Sequence, residues 1–227
     1  MSCYNAHMEG KSVVIMGASS GLGRALAKLL FQKGAKLFLL SRTIDKADLS
    51  FESVKIQCDV TNKNSIKDAF KKIDKIDYLI YCVGKGLMKD LRDVSEEEIE
   101  EVLNTCLKGA IFVNQEAYKK MAKAKSGHII NIISTSGRKA RAMETVYCAA
   151  KWGLRGFNDS LSLAAEENGI KVTGVYPGGM KSENFWKIVP GKDISAYMEP
   201  SFVAQKIIEM LEKEPATKEL LIERPKT

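Results

Sequence analysis

Residues 12–34 read SVVIMGASSGLGRALAKLLFQKG, and three patterns meet in them. The opening apolar run is short and continuous rather than alternating, as in a strand covered on both faces. Gly17, Gly21 and Gly23 follow. They open directly into a stretch with Leu22, Leu26, Leu29 and Leu30 on one helical stripe and Gly34 as its stop. Glycines let a backbone turn sharply and approach a pyrophosphate, whose charge then rests on the amides and dipole of the helix N-terminus. The spacing is G-x3-G-x-G, not the commoner G-x-G-x-x-G. Strand, glycine turn and helix in this order point to nucleotide binding at the first strand of an open sheet.

The same alternation continues along the chain. Apolar runs recur at 36–41, 54–60, 78–84, 128–134, 171–178 and 219–224, with helical spacing between them. Ser95 and Glu98 form a capping box that opens one of these helices. There is no repeat, low-complexity tract or long linker. The pattern predicts a Rossmann-type α/β fold: one domain over 1–227, a doubly wound, mainly parallel sheet of seven strands, and helices on both faces.

Composition narrows the function. With 45% hydrophobic and 28% charged residues the chain reads as a soluble globular protein. No apolar run approaches the roughly 18 residues of a membrane span, and the first eleven residues lack a signal-peptide layout. Five scattered cysteines without a C-x-x-C pair fit a reducing cytoplasm. His7 and His128 have no ligand spacing around them, so no metal is expected. The net charge of +7 comes from lysines mixed with glutamates along helix faces, a solvated surface rather than a nucleic-acid patch. Only Arg138, Lys139 and Arg141 cluster without acids. They suit loop charge, or the docking of an acidic group such as a phosphopantetheine carrier.

The second run ends in Ser41 and Arg42, with no acid before Asp45. An acid there would bind a ribose 2′-hydroxyl; a base accommodates a 2′-phosphate. Arg42 therefore indicates NADP(H) over NAD(H), with NAD(H) still possible. Asp59, ending the third run, suits a hydrogen bond to the adenine amino group.

Y-x-x-x-K occurs twice, at Tyr81 to Lys85 and at Tyr147 to Lys151. The first lies in a strand, where four residues span about 13 Å and nothing aligns the side chains. The second lies in a helical stretch, where i and i+4 stack about 6 Å apart on one face. There Lys151 can lower the Tyr147 pKa from ~10 toward working pH, as a general acid for carbonyl reduction requires. Ser134, ending the fifth run, can donate to the same carbonyl oxygen; Ser136 competes for that role.

Together GASSGLG, CDV, NIIS, the Ser134–Tyr147–Lys151 spacing and YPGG resemble the short-chain dehydrogenase/reductase family over almost the whole chain. The resemblance implies an NADP(H)-dependent interconversion of ketone or aldehyde and alcohol. In that scheme Ser134 holds the carbonyl and Tyr147 passes the proton. Lys151 binds the nicotinamide ribose while lowering the tyrosine pKa. It further implies cofactor contacts from Gly17, Ser19, Ser20, Gly21, Leu22 and Gly23, from Ser41, Arg42, Asp59 and Val60 at the adenosine end, and from Val83 and Gly84. Pro177, Gly178, Met180 and Ser182 complete them at the nicotinamide. A homodimer or homotetramer through the two long helices, at 95–125 and 144–169, is implied as well.

The chain departs from the family pattern in three places. Met16 replaces a threonine, YCVG replaces Asn-Asn-Ala-Gly after the fourth strand, and Cys106 stands where the family has its active-site asparagine. Asn104 lies roughly 200° around the helix and cannot simply substitute. The Cys106 change leaves an NADP-binding sensor with weakened catalysis as the alternative. The segment at about 179–199 carries Phe185, Trp186, Ile188, Val189, Tyr197 and Met198, with Pro190 and Gly191 as hinges. It reads as a lid over an apolar or aromatic carbonyl substrate.

Overall fold

The computed structural model describes residues 8–182, 185, 191, 193–213 and 216–224. Seven strands form one parallel sheet: β1 Ser12–Met16, β2 Lys36–Ser41, β3 Val54–Gln57, β4 Tyr78–Tyr81, β5 Gly127–Ile132, β6 Ile170–Pro177 and β7 Glu219–Ile222. Their order is β3-β2-β1-β4-β5-β6-β7. The direction of winding reverses between β1 and β4, so a crevice opens beyond their carboxyl ends.

Period-2 alternation assigns the strand side chains to two cores. Val13 and Ile15 face a layer built by α1 (Gly21–Gln32) and α6 (Pro200–Leu211). Val14 and Met16 face α2 (Lys63–Lys71), α4 (Gly109–Ala124) and α5 (Thr145–Ala165). All five residues of β1 are buried, which explains its continuous apolar reading. A polar brace crosses the second core: the Asn131 amide of β5 bonds Asn114 of α4 at 2.9 and 3.1 Å and Asn158 of α5 at 3.1 Å. Each of these side chains is buried, so water cannot replace a lost bond.

The long helical stretch from Glu96 is not uniform. Regular α3 (Glu96–Leu103) passes through a π-helical turn, Asn104–Lys108, into α4. Two contacts hold the widened turn. Tyr81 donates its hydroxyl to the Thr105 carbonyl at 2.7 Å. Cys106, fully buried, accepts from the Lys85 amide at 3.2 Å and donates to the Lys85 carbonyl at 3.3 Å. Asn104 stays half-buried on another side of the turn.

Candidate active site

A cleft of about 1310 Å³ runs along the carboxyl edge of the sheet. At one end lies the glycine turn. Gly17 and Gly21 have φ of +92° and +50°, conformations that side chains rarely adopt. Gly23 is forced by proximity: a Cβ there would stand 2.2 Å from the Gly17 carbonyl oxygen. The turn is fastened to β2 by Gly17 and Ala18 amides donating to the Leu40 carbonyl at 2.7 and 3.2 Å. Helix α1 begins with neither a capping side chain at Ser20 nor an acid in its first turn, whereas Asn62 caps α2 and Ser95 caps α3. An α-helix that leaves its first amides to the cleft fits an anionic group such as a pyrophosphate.

Most of the residues expected around a cofactor line this cleft: Ser19, Ser20, Leu22, Ser41, Arg42 and Val60 toward the glycine turn, and Val83, Gly84, Pro177, Gly178, Met180 and Ser182 farther along. Arg42 is exposed and has no ion-pair partner among the described residues. Ser182 reaches back over the turn, its Oγ 3.3 Å from where a Gly21 Cβ would stand. Asp59 is the exception. Its neighbours Cys58 and Val60 line the wall, but Asp59 does not; its Oδ1 accepts from the Thr61 amide and hydroxyl at 2.9 and 2.8 Å. Arg24, Lys28 and Thr43 also line the cleft and were not anticipated. Arg24 and Lys28 lie one helical turn apart, opposite the leucine stripe, so the spacing that identified α1 also located them.

Ser134, Tyr147 and Lys151 converge at the other end. Ser134 leaves β5 with φ 132° and ψ 155°, a strained backbone for a residue with a side chain. Its Oγ accepts from the Ser136 amide at 3.1 Å, and its hydroxyl lies near enough to Tyr147 to favour the ionised phenol. Ser136 is not equivalent. Its single hydroxyl proton goes to Glu144 Oε2 at 2.7 Å. One turn of α5 separates Tyr147 from Lys151, whose Nζ lies 5.6 Å from the phenol ring centroid and donates to the Ile132 carbonyl at 3.2 Å.

The expected lowering of the Tyr147 pKa does not appear. Burial pushes the phenol well above the ordinary tyrosine value, while the nearby Ser134 hydroxyl pulls it partly back. Lys151 is also buried, and burial lowers its own pKa. Dehydration of both groups outweighs their i, i+4 stacking. Tyr81 and Lys85 diverge, as strand geometry required: Tyr81 is in the core, and Lys85 pairs with Glu101 at 3.1 Å.

The segment expected to act as a lid has a fastened base. Lys181 donates its amide to the Met198 carbonyl at 2.8 Å, and Met198 returns a bond to Gly179 at 3.0 Å. Phe185 meets Tyr147 edge-on at 5.7 Å. Tyr197 lines the cleft, whereas Met198 turns into the α1/α6 core. Trp186, Ile188, Val189 and Pro190 lie outside the described residues. Of the basic cluster, Arg138 pairs with Glu219 at 3.2 Å and packs over Tyr176, leaving Arg141 as the member that lines the cleft. Among the described residues no group of His, Cys, Asp and Glu is arranged to hold a metal, and no helix is long and apolar enough to cross a membrane.

The family model for short chain dehydrogenases matches residues 11–193, and the chain belongs to that family of oxidoreductases. Among curated proteins it is 31% identical over 228 residues to carbonyl reductase family member 4 of Xenopus tropicalis, covering 93% of this chain and 95% of that protein. It is 33% identical over 181 residues to an uncharacterized oxidoreductase of Staphylococcus aureus, covering 75% and 78%. Solved structures share the fold. A short chain dehydrogenase from Burkholderia cenocepacia in complex with NADP superposes with a TM-score of 0.85 at 20% identity, covering 95% of this chain and 89% of that one. An alcohol dehydrogenase from Thermococcus sibiricus complexed with 5-hydroxy-NADP gives 0.86 at 23%, covering 96% and 100%.

Proposed function

We propose that the protein is an NADP(H)-dependent carbonyl reductase or alcohol dehydrogenase in which Tyr147 is the general acid and base. The observation that carries this reading is the convergence of Ser134, Tyr147 and Lys151 at one end of a cleft whose other end is an uncapped glycine turn flanked by Arg42. Bound nicotinamide supplies the hydride. Ser134 donates to the substrate oxygen and orients it toward the phenol. Tyr147 delivers the proton from its hydroxyl, and the raised pKa keeps that proton in place at neutral pH. Lys151, buried beneath the phenol, stabilises the tyrosinate formed when the proton leaves. Arg42 would hold a ribose 2′-phosphate, with Arg24 and Lys28 adding positive charge to that end. Phe185 and Tyr197 present aromatic surface to the apolar or aromatic skeleton of the substrate and exclude water from it.

Self-association through the outer face of α5 accompanies this reading. Trp152 and Leu163 are 46% and 69% exposed on that face, and nothing lies within 4 Å of a Cβ built on Gly156 between them.

The test is NADPH oxidation against a panel of ketones and aldehydes, with Tyr147→Phe beside wild type. Turnover that falls by several orders of magnitude in the variant, with NADPH affinity retained, is the expected result. A wild type that binds NADPH yet reduces nothing on the panel would instead make the protein an NADP-binding sensor.

A further inference from the structure

We propose that Glu144 is a specificity-determining residue that selects carbonyl substrates carrying a protonated amine, and excludes those carrying a carboxylate or phosphate. The inference rests on the oxidoreductase reading and names the substrate class for the same site.

Glu144 is the residue before α5 and stands three positions ahead of Tyr147. That spacing brings the two side chains to one end of the helix, roughly 5–6 Å apart at their Cβ atoms. The carboxylate is largely buried, with 14% of the side chain exposed, and it lines the cleft beside the phenol. Its orientation is fixed from one side, because Ser136 donates its hydroxyl to Oε2 at 2.7 Å. Oε1 accepts from no donor among the described residues, nor is it sealed from solvent. The carboxylate of this cleft-lining residue therefore retains unused lone pairs.

The surrounding cations do not answer that charge. Lys85 is matched to Glu101 at 3.1 Å and Lys181 to Glu199 at 2.7 Å. Arg224 lies over the Tyr197 ring at 5.2 Å, and the Lys151 ammonium is directed at the Ile132 carbonyl. Arg141 alone approaches, with Nε 3.8 Å from Oε2 and its side chain 46% exposed. A long, half-solvated pair of that kind contributes little. The Tyr147 ring beside Glu144 meets Phe185 edge-on at 5.7 Å, and an aromatic face attracts a cation. Ser134, Tyr147 and Glu144 line the same cleft, so a substrate whose carbonyl oxygen is held by the first two can present an amine to the third. A carboxylate or phosphate at the same point meets a like charge that has little water to screen it.

The experiment uses three ketones of one skeleton, neutral, ammonium-bearing and carboxylate-bearing, with NADPH and both wild type and Glu144→Gln. The glutamine keeps size and can still accept from Ser136. Selectivity is read as the ratio of kcat/KM within each protein, which cancels any effect of the substitution on Tyr147. Wild type should favour the ammonium ketone over the neutral one by about ten- to a hundredfold, the worth of one charge-assisted hydrogen bond, and the ratio should fall toward one in the variant. Calorimetric binding of the three corresponding alcohols to the NADP-loaded proteins should give the same ranking, whether or not turnover occurs. Loss of turnover on all three ketones would overturn the oxidoreductase reading while the alcohol ranking still decides on Glu144. A wild type that prefers the carboxylate compound, or a ratio unchanged in Glu144→Gln, overturns the proposal and transfers selection to Arg141.

Discussion

Removing the Cys106 thiol tests how the site is braced. In Cys106→Ala the Lys85 amide and carbonyl, held at 3.2 and 3.3 Å by the sulfur, lose their partner together. An unsatisfied buried donor costs about 1–3 kcal/mol. Deleting a buried atom the size of a methylene adds about 1 kcal/mol. Cys106 is fully buried but Lys85 only partly so, which puts the first contribution at the lower end of its range. The variant should lose about 2–3 kcal/mol of stability, seen as a lower denaturant midpoint at unchanged slope. The damage should also reach function, since the π-helical turn carries Cys106 against the pocket of Lys151 and Tyr147. Cys106→Asn offers a stronger donor and a stronger acceptor for the same two groups. It should recover most of the stability and reduce carbonyls as fast as wild type or faster in single-turnover mixing, with NADPH affinity unchanged. Cys106→Ala unfolding at the wild-type midpoint would refute the bracing argument, as would Cys106→Asn proving less stable than the alanine variant.

Other expectations follow from the same geometry. Arg42→Ala should shrink the preference for NADPH over NADH by about ten- to a hundredfold, the loss of one charge-assisted contact; equal affinities of wild type for the two cofactors would reject the assignment. Gly23→Ala places a Cβ 2.2 Å from the Gly17 carbonyl oxygen, so thermal unfolding should report destabilisation of about 1–3 kcal/mol and cofactor titration a weakened site. Gly156→Ala, in open space on α5 of the single protomer, should instead raise the protomer's own stability by up to about 1 kcal/mol. Because burial raises the Tyr147 pKa, the phenol stays protonated past the ordinary tyrosine range. Carbonyl reduction should therefore persist into alkaline pH, while alcohol oxidation, which needs the tyrosinate, should keep rising there. Glu144 adds to the raised pKa, so Glu144→Gln should move the oxidation limb to lower pH in a stopped-flow profile.

Strand positions were legible because burial on both faces leaves continuous apolar runs, and β1, β2 and β6 fall almost where those runs lie. The pairing of Tyr147 with Lys151, and the dismissal of Tyr81, followed from helix and strand repeat alone. Both are local periodicities carried by consecutive residues. Other features needed distant segments to meet. The clamp between Cys106 and Lys85 spans 21 residues and widens a helix that spacing read as regular. Asn114, Asn131 and Asn158 gave no pattern, yet their amides meet within the second core. Ser136 stood as a competitor to Ser134 in sequence, and only the fold brought Glu144 to its hydroxyl. The Tyr147 pKa departed from its neighbour-based expectation for the same reason. Sequence spacing reports which charge is close; only packing decides how much water is removed, and at Tyr147 dehydration is the larger effect.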